Sequence, residues 1–184
     1  MAKINYTLLF LLIFSTNSFS QSFQYHIYER YYNHYDSMRS SAYGELHTYL
    51  QGEMLEDAIT RNLKVDAKKC VAGTNSNYIF SLEPDLFYNY QMNILYGELK
   101  VKIYGNGNVL KNTVTVNTKH VGKINQKANF YINKIYDELI TKLGEDVLSK
   151  LPKENLINGN FCTIIELSKP KSNIDKDYKK PIQA

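Results

Sequence analysis

The chain has 184 residues, 43% of them hydrophobic, with a formal net charge of +4 and a mean hydropathy of −0.40. That length holds about one domain with a single modest core. The charge is unevenly placed: with Lys3 and the charged tail after Ser168 set aside, residues 21–168 carry 16 basic and 16 acidic side chains. A neutral body excludes a nucleic-acid groove, which needs clustered Lys and Arg to displace counterions from phosphates.

The first element is a leader. Lys3 is the only charge before Glu29, and the apolar run from Leu8 to Phe14 follows it, then a small polar stretch. That order is the order of a secretory signal peptide. Ser18 and Ser20 occupy the −3 and −1 positions of a small-x-small cleavage site, with the cut before Gln21. The apolar run is shorter than the roughly 20 residues a spanning helix needs, so no transmembrane anchor is expected in the mature chain. The expected compartment is the periplasm or the exterior. Residues 21–168 then form one domain, and 169–184 a basic, solvated tail punctuated by Pro170 and Pro181.

The segment from Phe23 to Tyr35 is dense in tyrosine, and Tyr25, Tyr28, Tyr32 and Tyr35 follow a helical 3-4-3 spacing. A strand reading of the same residues puts Phe23, Tyr25 and Ile27 on one face. The whole chain has 16 Tyr and no Trp. Tyrosine supplies broad amphipathic contact area at low rotamer cost, so Tyr25, Tyr28, Tyr31, Tyr32 and Tyr35 are candidates for a partner surface. Packing of the same rings on the domain's own core is the alternative.

Ser40 and Ser41 stand where a helix cap belongs, and Leu46, Leu50, Met54, Ala58 and Leu63 recur at helical spacing, which predicts an N-terminal helix through Asn62 and Lys64. Cys70 follows, and Cys162 is the only other cysteine. In an oxidising compartment the two are expected to pair as a disulfide. A catalytic thiol needs a base beside it, and nothing in the spacing of His26, His34, His47 and His120 points at either cysteine.

After the turn-rich Gly73–Asn77, the residues Tyr78, Phe80 and Leu82 suggest a strand ending at Pro84. From Leu95 to Ile103 apolar residues alternate with Tyr96, Glu98, Lys100 and Lys102, the pattern of a half-buried strand. Asn106–Gly107 is a hairpin signal. A two-residue loop there pairs Ile103 with Leu110, Leu99 with Val114 and Gly97 with Val116, and sets Lys102 opposite Lys111. The amphipathic stripe Ile124, Ala128, Tyr131, Ile132, Ile135, Leu139 and Leu143 predicts a covering helix, ended at Gly144. A short helix through Val147 and Leu151 stops at Pro152, and Phe161–Leu167 reads as strand. The expected class is α+β: an antiparallel sheet on a long hairpin (about 94–119), covered by a helix (about 123–143), with an N-terminal helix.

Helix, strand, a long hairpin whose turn is followed by Val109-Leu110, then a helix reading INQKANFYINKIYDELITKL: this order over about 40–145 resembles small periplasmic accessory proteins of Gram-negative envelopes. It is similar to curli-secretion and penicillin-binding-protein-activator lipoproteins. The likeness lies in pattern and element order, with no diagnostic motif, and the chain has no lipid-accepting cysteine after its leader. The resemblance implies a protein that docks to an envelope protein.

The chemistry-bearing residues point the same way. His26 with Glu29, His34 with Asp36, and Glu45 with His47 form neither a paired-histidine helix motif nor a closed Cys/His set, so no metal or cofactor is expected. Glu56–Asp57, Asp137–Glu138 and Glu145–Asp146 are sequence neighbours that point in different directions on a helix and cannot jointly flank a substrate. Gly105-Asn106-Gly107 leads into a strand, so no helix N-terminus awaits a phosphate. No Gly-x-Ser-x-Gly elbow occurs. No catalytic residue is therefore assigned. The expectation is an exported non-catalytic accessory or binding protein. The alternatives are an inhibitor or immunity protein against an envelope-acting toxin or hydrolase, and a hydrolase whose site assembles from distant residues.

Overall fold

The computed structural model describes residues 22–41, 43–124, 127–152 and 160–162. The leader (1–20), the tail (169–184) and the expected strand beyond Cys162 lie outside the described residues. No helix among the described residues is long and apolar enough to cross a membrane.

Both periodicities of the tyrosine segment are used, one after the other. Strand β1 (Phe23–Ile27) takes the period of two. Its Phe23, Tyr25 and Ile27 turn to the core beside Tyr78, Phe80 and Leu82 of a parallel neighbour. A single helical turn, α1 (Arg30–Asn33), follows and buries Tyr31. The 3-4-3 helical spacing does not extend through the segment, because the core requires Phe23 and Ile27 to share a face with Tyr25.

The helix expected from Ser40 begins eleven residues later. Strands β2 (Asp36–Arg39) and β3 (Leu46–Tyr49) form an antiparallel ribbon first. Between them Gly44 N donates to Ser41 O, and Ser40 N to Glu45 O, closing a reversal that a helix cannot contain. Helix α2 (Gln51–Asn62) then buries Leu55, Ala58 and Ile59, while Leu46 of the expected stripe is exposed. Strand β4 (Ala67–Lys69) returns parallel to β1. The short β5 (Asn75–Ser76) pairs with β9 (Asn160–Phe161).

Three long strands form the rest of the sheet: β6 (Tyr78–Asn89), β7 (Ile94–Gly105) and β8 (Val109–Val121). The sheet order is β4-β1-β6-β7-β8. It is antiparallel across β6, β7 and β8 and parallel on both sides of β1. Pro84 lies inside β6 and does not end it. Strand β1 stops opposite Leu82, so Pro84 sits where β6 has no neighbour on that side and its missing N–H leaves no rung unmade.

The β7–β8 hairpin is where the sequence placed it, but its register is two residues off the expected one. Leu99 pairs with Val116 and Gly97 with Thr118. Gly107 (φ 72°) and Asn108 (φ 60°) are both left-handed, which lengthens the loop by one residue. A bulge between Ile103 and Tyr104 and their partners supplies the second. Two single-residue shifts sum to an even number, so the side chains beyond the bulge keep their face, whereas Leu110, between the two shifts, pairs with Tyr104 instead of Ile103 and is exposed. Lys102 accordingly faces Thr113 instead of Lys111, and forms an ion pair with Glu83 at 2.6 Å.

Helix α3 (Ala128–Lys142) lies across β7 and β8, and its chain continues through wider and tighter turns to Lys150. Gly144 therefore loosens the helix without ending it. Ile124, Ile132, Ile135, Tyr136, Leu139 and Ile140 are fully buried. Tyr136 and Ile140, outside the expected stripe, face α2. The architecture is α+β, with the helices gathered on one face of the sheet. Gly97 of β7 admits α3 to its close approach: a Cβ there would overlap Ile135 Cγ2 and crowd Leu139 Cδ1. Cys70 and Cys162 form a disulfide with Cα atoms 5.7 Å apart, spanning 92 residues. It packs against Ile79 and Tyr104.

Gly97→Ala is expected to lower stability by about 1 to 3 kcal/mol through overpacking, measured as a fall in the urea midpoint with unchanged slope. Replacing both cysteines with Ala should cost about 4 to 5 kcal/mol in the chain-entropy account of a loop this long. A double variant as stable as the oxidised parent refutes that account.

Candidate docking surface

Of the five tyrosines proposed as a partner surface, Tyr25, Tyr28 and Tyr31 are buried, Tyr32 is half-buried and Tyr35 is exposed. The first four fasten the N-terminal segment to the core. Tyr32 Oη donates to Glu56 Oε2 at 2.7 Å, Tyr25 Oη to Glu56 Oε1 at 3.4 Å, and Lys69 Nζ to Glu56 Oε2 at 2.8 Å. Lys69 also lies 4.5 Å above the Tyr32 ring. Burial, then the Glu56 carboxylate, pushes the Tyr25 phenol up to about 12. Burial opposes the charge of Glu56, but hydrogen bonds from Lys69 and Tyr32 outweigh it and hold the carboxyl below its ordinary range. The cluster is a joint between β1, α1, α2 and β4, and it leaves Tyr35 alone open to a partner.

Tyr43, Leu46, Val71 and Phe130 are exposed at separate places, while several large exposed apolar side chains lie elsewhere, at one end of the sheet face opposite the helices. There the cross-strand register sets residues in rows. Nearest the β6–β7 turn is Asn89, Ile94 and Val121, then Phe87, Tyr96 and Lys119, then Asp85, Glu98 and Asn117. Phe87 and Tyr96 stack with ring centroids 6.3 Å apart. Phe87 is 61% exposed and Val121 67%. The turn adds Tyr90 at 42% and Met92 at 58%.

The turn is firmly built. Asn89 Oδ1 accepts from the backbone N–H groups of Gln91 and Met92, both at 3.1 Å, which closes an Asx turn. Asn93 adopts φ 53°, its carbonyl accepts from Gly122 N at 2.7 Å, and Tyr88 Oη donates to its Oδ1. Tyr90 and Met92 are thus held outward at low entropic cost. Below the aromatic pair, Asp85 and Glu98 are directly opposed across β6 and β7. Two like charges on facing positions destabilise a sheet unless a cation joins them. Asp85, Phe87, Tyr96, Glu98, Asn117 and Thr118 border a shallow cleft of about 310 Å³. Aromatic rings thus stand beside two carboxylates along one cleft.

Further along the same face, His26, Ser81 and Lys102 stand side by side on β1, β6 and β7. This is the arrangement closest to a catalytic set. Ser81 is fully buried and its Oγ makes no hydrogen bond, so no base activates it and no substrate reaches it. Burial works against the Lys102 charge, but Glu83 outweighs it and keeps the ammonium above its ordinary value, which unsuits it as a base. Among the described residues no three His, Cys, Asp or Glu side chains gather to hold a metal. The carboxylate pairs serve separate contacts. Asp137 bonds Arg61 and Asn62, and Glu138 accepts from Thr118.

No protein-family model matches the chain, and no curated protein matches it. Among solved structures, a crystal structure of a Xanthomonas campestris protein described as a member of DUF330 is similar over 70% of this chain and 81% of that one. The identity is 15% and the TM-score 0.45.

The Glu56 joint carries a pH dependence. Its lowered carboxyl contributes stability that is present above the ordinary glutamate value of 4.5 and is lost as the pH falls through the folded value. Glu56→Gln is expected to cost about 1 to 2 kcal/mol at neutral pH, and the gap from the parent should close in acid. Urea midpoints at pH 7 and pH 3 measure it, and a gap that stays constant refutes the role of the charge.

Proposed function

We propose that this is an exported, non-catalytic binding or accessory protein of the cell envelope, and that it docks a protein partner on the tip of the sheet. The observation that carries the reading is the exposed set Phe87, Tyr90, Met92 and Val121 with half-buried Tyr96 among them, gathered at a rigid turn and the strand ends beside it. Monomeric surfaces seldom hold so many large apolar groups together without an interaction to cover them. The helical face of the sheet is already filled by α2 and α3, which leaves the outer face for recognition. The partner that fits supplies an apolar anchor for the aromatic pair and a cation for Asp85 and Glu98.

Export is supported by the leader and by the Cys70–Cys162 disulfide, which persists in an oxidising compartment. On this reading Ser81, which is buried between His26 and Lys102, has no catalytic role.

Affinity capture from a native envelope extract under oxidising conditions tests the reading, with Phe87→Ser/Tyr96→Ser as the control bait. Phe87 is exposed and Tyr96 half-buried on the outer face, outside the core, so the melting temperature should stay within a few degrees of the parent's. A stoichiometric partner retained by the parent and reduced at least tenfold on the variant is the expected result. A partner that is a toxin or hydrolase would assign the inhibitor role. Equal recovery on both baits, or none on either, overturns docking at the tip.

A further inference from the structure

The two edges of the five-stranded sheet are built differently. At one edge β4 is three residues long, with two lysines, the short and charged form that discourages strand addition. At the other, β8 runs for thirteen residues, contains no proline, and is rich in Val and Thr. Gly122 N donates to Asn93 O at the end of the β7–β8 ladder. By alternation from that rung, the backbone groups of residues 112, 114, 116, 118 and 120 turn toward β7. Those of Thr113, Thr115, Asn117, Lys119 and Val121 turn away from the sheet, and all five residues are exposed. Lys142 Nζ reaches the carbonyl of Asn117 at 2.9 Å, which fits that direction.

We infer that β8 is a self-association edge, pairing antiparallel with β8 of a second copy of this chain about a two-fold axis at Asn117. The two sheets then join into one of ten strands. The sequence of the edge selects this occupant and this register. Centring on Asn117 sets Thr115 opposite Lys119 and Thr113 opposite Val121, so no like charges face each other. Centring on Thr115 opposes Lys111 to Lys119, and centring on Lys119 opposes that residue to itself, both unfavourable. Thr113 N donates to Asn112 Oδ1 at 2.8 Å, so the five residues of each strand exchange about eight main-chain hydrogen bonds. Helix α3 adds charge complementarity beside the axis. Glu138, bonded to Thr118, and Lys142, bonded to Asn117, lie one turn apart. A two-fold there brings each carboxylate toward the other copy's ammonium. The aromatic rings of both tips stay on the same outer face, and Val121 belongs both to the tip and to the seam.

Sedimentation equilibrium of the exported protein, with its disulfide intact and over a micromolar concentration series, tests the inference. A monomer–dimer equilibrium is expected. Thr115→Lys places a lysine opposite Lys119 twice per dimer and should weaken association roughly tenfold. Lys100 of β7 faces position 115 within the same chain, so the new lysine also lowers the monomer's melting temperature slightly, by the same amount in the single and the double variant. Thr115→Lys/Lys119→Glu converts both facing pairs to opposite charges and should restore the parent's association. A monomer at every concentration, a dimer indifferent to Thr115→Lys, or no rescue by the double variant overturns the proposal.

Discussion

The approach of α3 to β7 at Gly97 sets the geometry on which the helical face depends. Without a Cβ at that position, Ile135 and Leu139 seat directly on the strand, and the helix lies low enough to close the core over Leu95, Leu99 and Val101. Its other flank then meets α2. There Asp137 bonds Arg61 and Asn62. The buried Tyr136 hydroxyl donates to Gln51 at 2.8 Å, and Gln51 in turn donates to Asp36. One glycine thus fixes the spacing of a chain of contacts from sheet to helix to helix to the β2–β3 ribbon. A buried polar chain of this kind holds its elements in one arrangement, since displacing any of them leaves a hydroxyl or amide unmatched.

The tyrosine content follows from the same logic. Tyr25, Tyr28, Tyr31, Tyr49, Tyr78, Tyr88, Tyr104 and Tyr136 are buried. Several use the hydroxyl to reach an element beyond the ring's own packing, as Tyr78 does to Pro152 and Tyr136 to Gln51. A phenol at the rim of a small core supplies apolar area and a polar tip together. Tyr90 and Tyr96 stand instead with Phe87 at the outer end of the sheet, and Tyr35 and Tyr43 are exposed elsewhere. Most of the buried rings belong to the core under the helices, while Tyr104 packs with Ile79 and Cys162 in a smaller cluster of its own.

What the sequence discloses depends on whether one period dominates. Leu95 to Ile103 alternates cleanly, and the β7–β8 hairpin is where that alternation places it. Its register escapes because the loop length rests on Asn108 adopting a left-handed conformation, and the bulge leaves no mark on the pattern. Phe23–Tyr35 satisfies periods of 2 and 3.6 at once, so the partner strand β6 decides the outcome. Leu46 to Leu63 reads as helix until the reversal at Gly44 is seen, and Pro84 reads as a terminator until β1 is known to stop short of it. The proposed docking tip has one legible sign. Phe87 and Tyr96 occupy the phase of their strands that faces water, where a polar residue is the ordinary choice. Tyr90 and Met92 join them only through the folded turn. The pairing of Cys70 with Cys162 is legible because compartment and number leave those two thiols each other.

The same disulfide divides the chain mechanically. It closes residues 70–162 into a covalent ring that contains β6, β7, β8 and α3, and leaves β1, α1, the β2–β3 ribbon, α2 and β4 outside it. Tension along the backbone passes from Cys70 to Cys162 through the sulfur atoms and bypasses everything between them. A pull would strip β1 and β4 from the sheet and draw out α2 while the hairpin, its aromatic tip and the covering helix carried no load. The display surface is thereby insulated from force on the segments that precede it.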